Sequence, residues 1–207
     1  MASLLVRGFA LGFLVAASPG PIFFLCLRRT LLRGWRVGFL SGLGVATADG
    51  SYAAVAVFGI AALATFLTGA SLWLGLLGGA ALIVLGIRAL IERPANPEQG
   101  TAPVSGRGLA WAYVSTLGLT ITNPATIVSF AALAAALGAG LAGGFLRPAA
   151  VVAGVFAGSV AWWALLASLA TLLRARITPA VARAIGIVSG VAIAALGVLS
   201  IATAVGH

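Results

Sequence analysis

Ala17-Ser18-Pro19-Gly20-Pro21 cuts an otherwise continuous apolar run from Gly8 to Leu27. Proline removes a backbone donor and clashes with the preceding helical turn, and lipid offers no water to the carbonyls set free. Such a break is tolerated only against other protein or a water-filled cavity. The stretch therefore predicts a membrane-spanning helix that is broken near the bilayer centre. A second break, Thr122-Asn123-Pro124-Ala125-Thr126, lies in the middle of another apolar run. Asp49, the only acid inside any such run, lies in the middle of a third. Three unusual features at one depth point to one functional place.

Composition agrees with a membrane setting. The chain of 207 residues is 62% hydrophobic and 7% charged, too apolar to clothe a soluble domain but suited to lipid-facing helices. Its longest polar stretch, Glu92 to Arg107, is too short to fold alone. The net charge of +9 comes from twelve arginines, with no lysine, set against Asp49, Glu92 and Glu98. These arginines lie in short joins between apolar runs, where they read as topology and lipid-headgroup signals rather than a nucleic-acid surface. One cysteine, Cys26, excludes an internal disulfide. The single histidine, His207, leaves no haem or ordinary zinc ligand set, so neither a metal nor a cofactor is expected. The first run has little positive charge ahead of it and two prolines near its middle, so it reads as a retained helix and not a cleaved signal.

Apolar runs of about 20 residues give six spans: Gly8 to Leu27, Gly38 to Leu63, Leu72 to Leu90, Leu109 to Leu137, Ala149 to Leu173 and Ile185 to Val205. Thr68-Gly69 reads as a tight turn and Gly138 to Gly144 as a glycine-rich join. Pro148 suits a first helical position, and Thr178-Pro179 resembles a cap that starts the last helix before its apolar core. Under this assignment ten arginines fall on one side and only Arg7 and Arg147 on the other. The positive-inside rule then puts both termini outside the cytoplasm and the 92–107 linker within it.

The two halves resemble each other. Gly75, Gly79 and Gly86 recur as Gly186, Gly190 and Gly197 at a constant displacement of 111; Gly44 matches Gly154 and Asp49 matches Ser159 at 110; the breaks at Pro19 and Pro124 match at 105. The expected fold is thus an all-α membrane protein, one transmembrane domain of six helices. It is built as two inverted three-helix repeats, about 1–91 and 108–207, with the first and fourth helices broken. Small residues also let helices approach closely, which makes the glycine-rich faces candidates for a homo-oligomer contact.

At each break a half-helix should begin near the midplane, at about Gly20-Pro21 and Asn123-Pro124. The amino end of a helix offers free backbone donors and positive dipole to a carboxylate. Asp49 complements these ends: a carboxylate at this depth must face the bundle interior, pair with a cation or take up a proton. It is therefore the candidate for proton coupling or for holding a substrate ammonium, with hydrogen bonding to Thr47 or Ser51 as the structural alternative. Thr122, Thr126, Ser129 and Ser159 can add hydroxyl ligands, although such groups often bond their own helix. Trp162 and Trp163 either line a cavity or fill the bundle, while Trp35, Trp73 and Trp111 fit membrane-boundary anchors. One carboxylate with two helix amino ends describes a receptor for a zwitterion such as an amino acid.

Ser18-Pro19-Gly20-Pro21, the run Gly42 to Asp49 and Asn123-Pro124, in a chain of about this length, resemble the lysine-exporter (LysE/RhtB-type) family of amino-acid exporters. The resemblance covers essentially the whole chain. It implies a multi-pass transporter of the inner membrane that exports amino acids or related small solutes on a proton or ion gradient, with these motifs near the path. Ala48 stands where that pattern has glycine before the aspartate, and Ala125 where lysine often follows Asn-Pro.

A secondary exporter needs no nucleotide site, and the chain has no GxxxxGK[ST] loop. Efflux of a divalent cation would need several oxygen or sulfur ligands. An enzyme would need paired acid and base groups, and a pure assembly subunit would not need matched helix breaks. Small-solute transport is the reading that uses all of the features.

Overall fold

The computed structural model of the protein describes residues 1–58, 71–91, 105–123, 126, 129–130, 145–174 and 178–205. Pro124, the 92–104 part of the linker, Thr68-Gly69, the 138–144 join and His207 lie outside the described residues. The described chain is helical, with no strand: α1 (Ala2–Ala17), α2 (Pro21–Arg33), α3 (Trp35–Phe58), α4 (Ser71–Ile91), α5 (Gly106–Ile121), α6 (Leu146–Arg174) and α7 (Pro179–Val205).

The first break falls where the prolines require it. Ser18 leaves α1 with extended backbone, its N–H still donating to Val15 O at 3.2 Å, and Gly20 is extended at φ −149° and ψ −177°. Pro21 then occupies the first position of α2, where a missing N–H costs nothing because no intrahelical partner exists there. The axes of α1 and α2 differ by 79°. α2 ends at Gly34 with φ 88°, a left-handed value that glycine alone adopts without strain, and α3 starts at the next residue. Ser105 caps α5 by accepting from Gly108 N at 3.3 Å. Thr178 Oγ1 accepts from Val181 N at 3.3 Å, so α7 begins at Pro179, ahead of its apolar core as expected. At the second break Asn123 N reaches back to Thr120 O at 3.2 Å and Thr126 N to Asn123 O at 3.1 Å, a turn that closes α5.

Residues Leu146–Leu173 and Arg183–Val205 are long and apolar enough to cross a membrane, and the bent pair α1–α2 makes a third candidate if it is one span. The remaining expected spans correspond to α3, α4 and α5. α3 carries Arg36 and Asp49, α4 is apolar from Leu72 to Leu90 apart from Arg88, and α5 is 16 residues long.

Packing is organised as pairs. α1 lies along α6, α4 along α7, and α3 is central, against α6, α5 and α2; α2 also meets α7 and α6. Between α4 and α7, Gly79 approaches the Gly197 carbonyl and Ile201, while Gly197 approaches the Gly79 carbonyl and Ile83. One turn-pair further on, Gly86 meets the Gly190 carbonyl and Ala194, and Gly190 meets the Gly86 carbonyl and Leu90. A Cβ at any of the four would run into its partner helix, so the backbones touch. These glycines face one another within the chain. A core formed by Ala16, Ile22, Leu25, Cys26, Val45, Ala46, Leu82, Leu119, Trp163 and Ile193 draws on all seven helices and surrounds the first break.

Candidate functional site

One cavity of about 120 Å³ opens where the two breaks meet α3. Ser18, Pro19, Gly20 and Pro21 form one wall together with Ile22 and Phe23 of the first turn of α2. Thr120, Asn123, Thr126 and Ser129 come from the second break and its approaches. Asp49 and Val45 project from α3, Trp163 from α6, and Val15 and Ala16 from the end of α1. Local chemistry explains the two broken walls. Prolines bar α1 from continuing, so the first N–H groups of α2 have no intrahelical acceptor and lie beside the cavity. Asn123 follows the last turn of α5 and lines the cavity there.

Asp49 is 2% exposed and is the only acid among the described residues. Ser159 Oγ, from α6, donates to its Oδ2 at 2.7 Å. The structural partners expected for it are engaged elsewhere: Thr47 Oγ1 donates to Leu43 O at 2.9 Å and Ser51 Oγ to Thr47 O at 2.8 Å. The carboxylate therefore spans from the cavity wall to α6, and one hydroxyl bond leaves acceptor capacity on both oxygens. The other side chains satisfy the polar ends of the breaks. Tyr52 Oη donates to the carbonyl of Ile121, the last residue of α5. Among the described residues no three His, Cys, Asp or Glu side chains come together as metal ligands do.

The expected site residues thus divide. Ser18, Pro19, Gly20, Pro21, Asp49, Asn123 and Thr126 line one cavity, with Ser129; Ser159 is fully buried behind Asp49. Thr122 does not line it: it lies against Gly78 of α4, and its hydroxyl donates to Gly118 O at 3.0 Å. Pro124 lies outside the described residues. Taken together, a carboxylate on one wall and a helix amino end on another offer an acceptor to a cation and donors to an anion within one small space.

The family model of the LysE type translocators matches residues 13–203. The chain belongs to the LysE type translocator family. LysE type translocators are membrane transporters, and both breaks, Asp49 and Ser159 fall inside the matched region. The Escherichia coli (strain K12) protein titled "Uncharacterized membrane protein YahN" is 31% identical over 117 residues, which are 55% of this chain and 51% of that protein. The chain thus spans about half the length of this curated relative. No solved structure matches it.

Four residues of this translocator's interior are placed by the structure in roles that the sequence showed only in part or not at all. Thr120 lies on the cavity although its hydroxyl bonds Thr116 O at 2.7 Å. Trp163 takes the cavity-lining role, whereas Trp162 packs edge-on against Phe13 with ring centroids 5.2 Å apart. Arg28 and Arg29 correct the reading of every arginine as a loop or headgroup anchor: both sit inside α2 and are buried. Arg29 is 7% exposed and fastens three helices. Its Nη1 donates to Ser41 Oγ of α3 and Ala112 O of α5, both at 3.1 Å, and its Nη2 to Ser115 Oγ at 3.0 Å. Arg29→Ala is expected to lower stability by about 2 kcal/mol, a typical loss for bonds to a charged group, because no water replaces the guanidinium at Ser41. Arg29→Lys, which cannot span the three acceptors in a fork, should recover only part. Thermal unfolding of the purified variants in detergent measures both.

Proposed function

We propose that this translocator is a secondary exporter of amino acids or closely related small zwitterions, driven by an ion gradient, with the proton as coupling ion. One observation carries the reading: a single cavity gathers both helix breaks and the only acid of the described residues. The amino end of α2 suits the substrate carboxylate, and Asp49 suits the ammonium, the coupling proton or each in turn. Ser18, Asn123, Thr126 and Ser159 supply the remaining polar partners, and Pro19, Gly20, Pro21 and Pro124 hold the half-helices apart.

Alternating access follows from two inverted repeats of three spans, about 1–91 and 108–207, in six spans. Reciprocal packing supports this. Moving each residue of the Gly79–Gly197 and Gly79–Ile201 contacts to its counterpart 111 positions away yields Gly190–Gly86 and Gly190–Leu90, both of which occur; Gly197–Ile83 likewise becomes Gly86–Ala194. Residues exchanged in this way behave as the two sides of an isologous contact around a twofold axis. Asp49 and Ser159, counterparts at 110, touch each other as residues on such an axis do. With the arginines inside, the chain lies in the inner membrane with both termini outside the cytoplasm.

Purified protein in sealed vesicles tests the function. Vesicles preloaded with unlabelled alanine should take up labelled alanine by exchange, and a pH gradient should drive it uphill. Vesicles that do neither with any amino acid would remove the proposal.

A further inference from the structure

We propose that Trp163 sets the upper size of the transported solute, restricting the cavity to amino acids with a side chain no larger than that of alanine. The inference rests on the amino-acid reading above and concerns a residue that this reading leaves without a task. The cavity measures about 120 Å³. A water molecule's share of liquid volume is about 30 Å³, and a cavity of about 150 Å³ in another protein takes up benzene, with its six non-hydrogen atoms. The space beside Asp49 therefore accommodates about five such atoms. The ammonium, Cα and carboxylate common to all amino acids already account for five of these.

Of the walls, Trp163 is the bulkiest and the least able to retreat. It is 3% exposed and belongs to the core around the first break. Its ring is wedged against α3 where Gly42 lacks a side chain, since a Cβ at Gly42 would meet Trp163 Cβ and Cγ. The indole thus already occupies the room that a glycine leaves, and moving back would drive it into helix backbone. Its Nε1 is buried without a hydrogen-bond partner, so the ring is held by packing alone. A tryptophan fixed by shape and not by its N–H is replaceable: shortening it opens space without stranding a partner. Of the other walls, Ser18 to Pro21 is backbone set by two prolines, and Val45 is small.

The test is competition against labelled-alanine exchange in reconstituted vesicles, using glycine, alanine, serine, leucine, methionine and phenylalanine on the wild type, Trp163→Phe and Trp163→Ala. For the wild type, leucine, methionine and phenylalanine should compete at least tenfold less well than glycine or alanine. Trp163→Ala should narrow that ratio at least tenfold in favour of the larger solutes, and Trp163→Phe should fall between. A wild type that takes leucine and phenylalanine as readily as alanine overturns the size limit but leaves the amino-acid reading intact. So does an unchanged ratio in the variants. Exchange of no amino acid at all overturns both. If Trp163→Ala does not fold, the wild-type ratio and Trp163→Phe decide the question.

Discussion

Alanine in place of Pro19, Gly20 and Pro21 together is expected to reduce transport by at least about a hundredfold while the protein still inserts. Relative to alanine, proline disfavours a helix interior by about 3 kcal/mol and glycine by about 1 kcal/mol. The triple change therefore removes several kcal/mol of local opposition to one continuous helix. At present α1 is held along α6 and α2 against α3 and α7, with 79° between them. A healed helix cannot keep both sets of contacts. It withdraws Ser18 from the cavity and consumes the N–H groups at the start of α2 in ordinary helical bonds. Losing the donors that face a substrate carboxylate at about 1.5–3 kcal/mol each accounts for a hundredfold, since about 1.4 kcal/mol is tenfold. The single change Pro124→Ala is expected to act in the same direction. Membrane-fraction levels and vesicle exchange, measured on the same preparations, decide it. Normal exchange by both variants would make the prolines packing kinks and move the site elsewhere.

Asp49→Asn separates the two roles open to the carboxylate. Asparagine keeps the shape and still accepts from Ser159, so the 2.7 Å contact between α3 and α6 survives, but the charge is gone. If Asp49 carries the coupling proton, uphill export driven by a pH gradient should vanish while exchange of substrate across the membrane persists. If it holds the substrate ammonium, exchange itself should fall by at least about tenfold, because a charge-assisted bond of about 1.5–3 kcal/mol is lost. Both follow from there being one acid in the cavity: no second carboxylate among the described residues can substitute. Exchange and pH-driven flux measured on one reconstituted variant distinguish the outcomes. Retention of both would reduce Asp49 to a tie between α3 and α6.

Some of this was legible in the chain itself. The helix breaks at Ser18-Pro19-Gly20 and after Thr122 follow from backbone chemistry that proline and glycine carry wherever they stand. Asp49 stood out because an acid among apolar residues has few permitted surroundings. The spacing that matches Asp49 with Ser159 at a displacement of 110 joins two residues that hydrogen-bond in the structure. Span boundaries were less legible. The Arg28–Arg29 pair looked like the start of a loop, whereas α2 runs on to Arg33 and buries both, because the serines and carbonyl that receive Arg29 lie more than ten residues away on other helices.

The sequence by itself thus determined where the helices break and that an acid sits between the breaks, since these depend on local φ, missing donors and the cost of charge in an apolar run. Only the tertiary structure decided which side chains meet there. α3 and α6 are apolar nearly all round, with no single stripe to show which face turns inward. Hence neither Ser159 rather than Thr47 or Ser51 as the partner of Asp49, nor Trp163 rather than Trp162 at the cavity, was fixed until helix rotation was. That rotation is set by close packing of small residues on neighbouring helices, Gly42 beneath Trp163 among them, because in lipid it is contact between backbones, not burial from water, that chooses which faces touch.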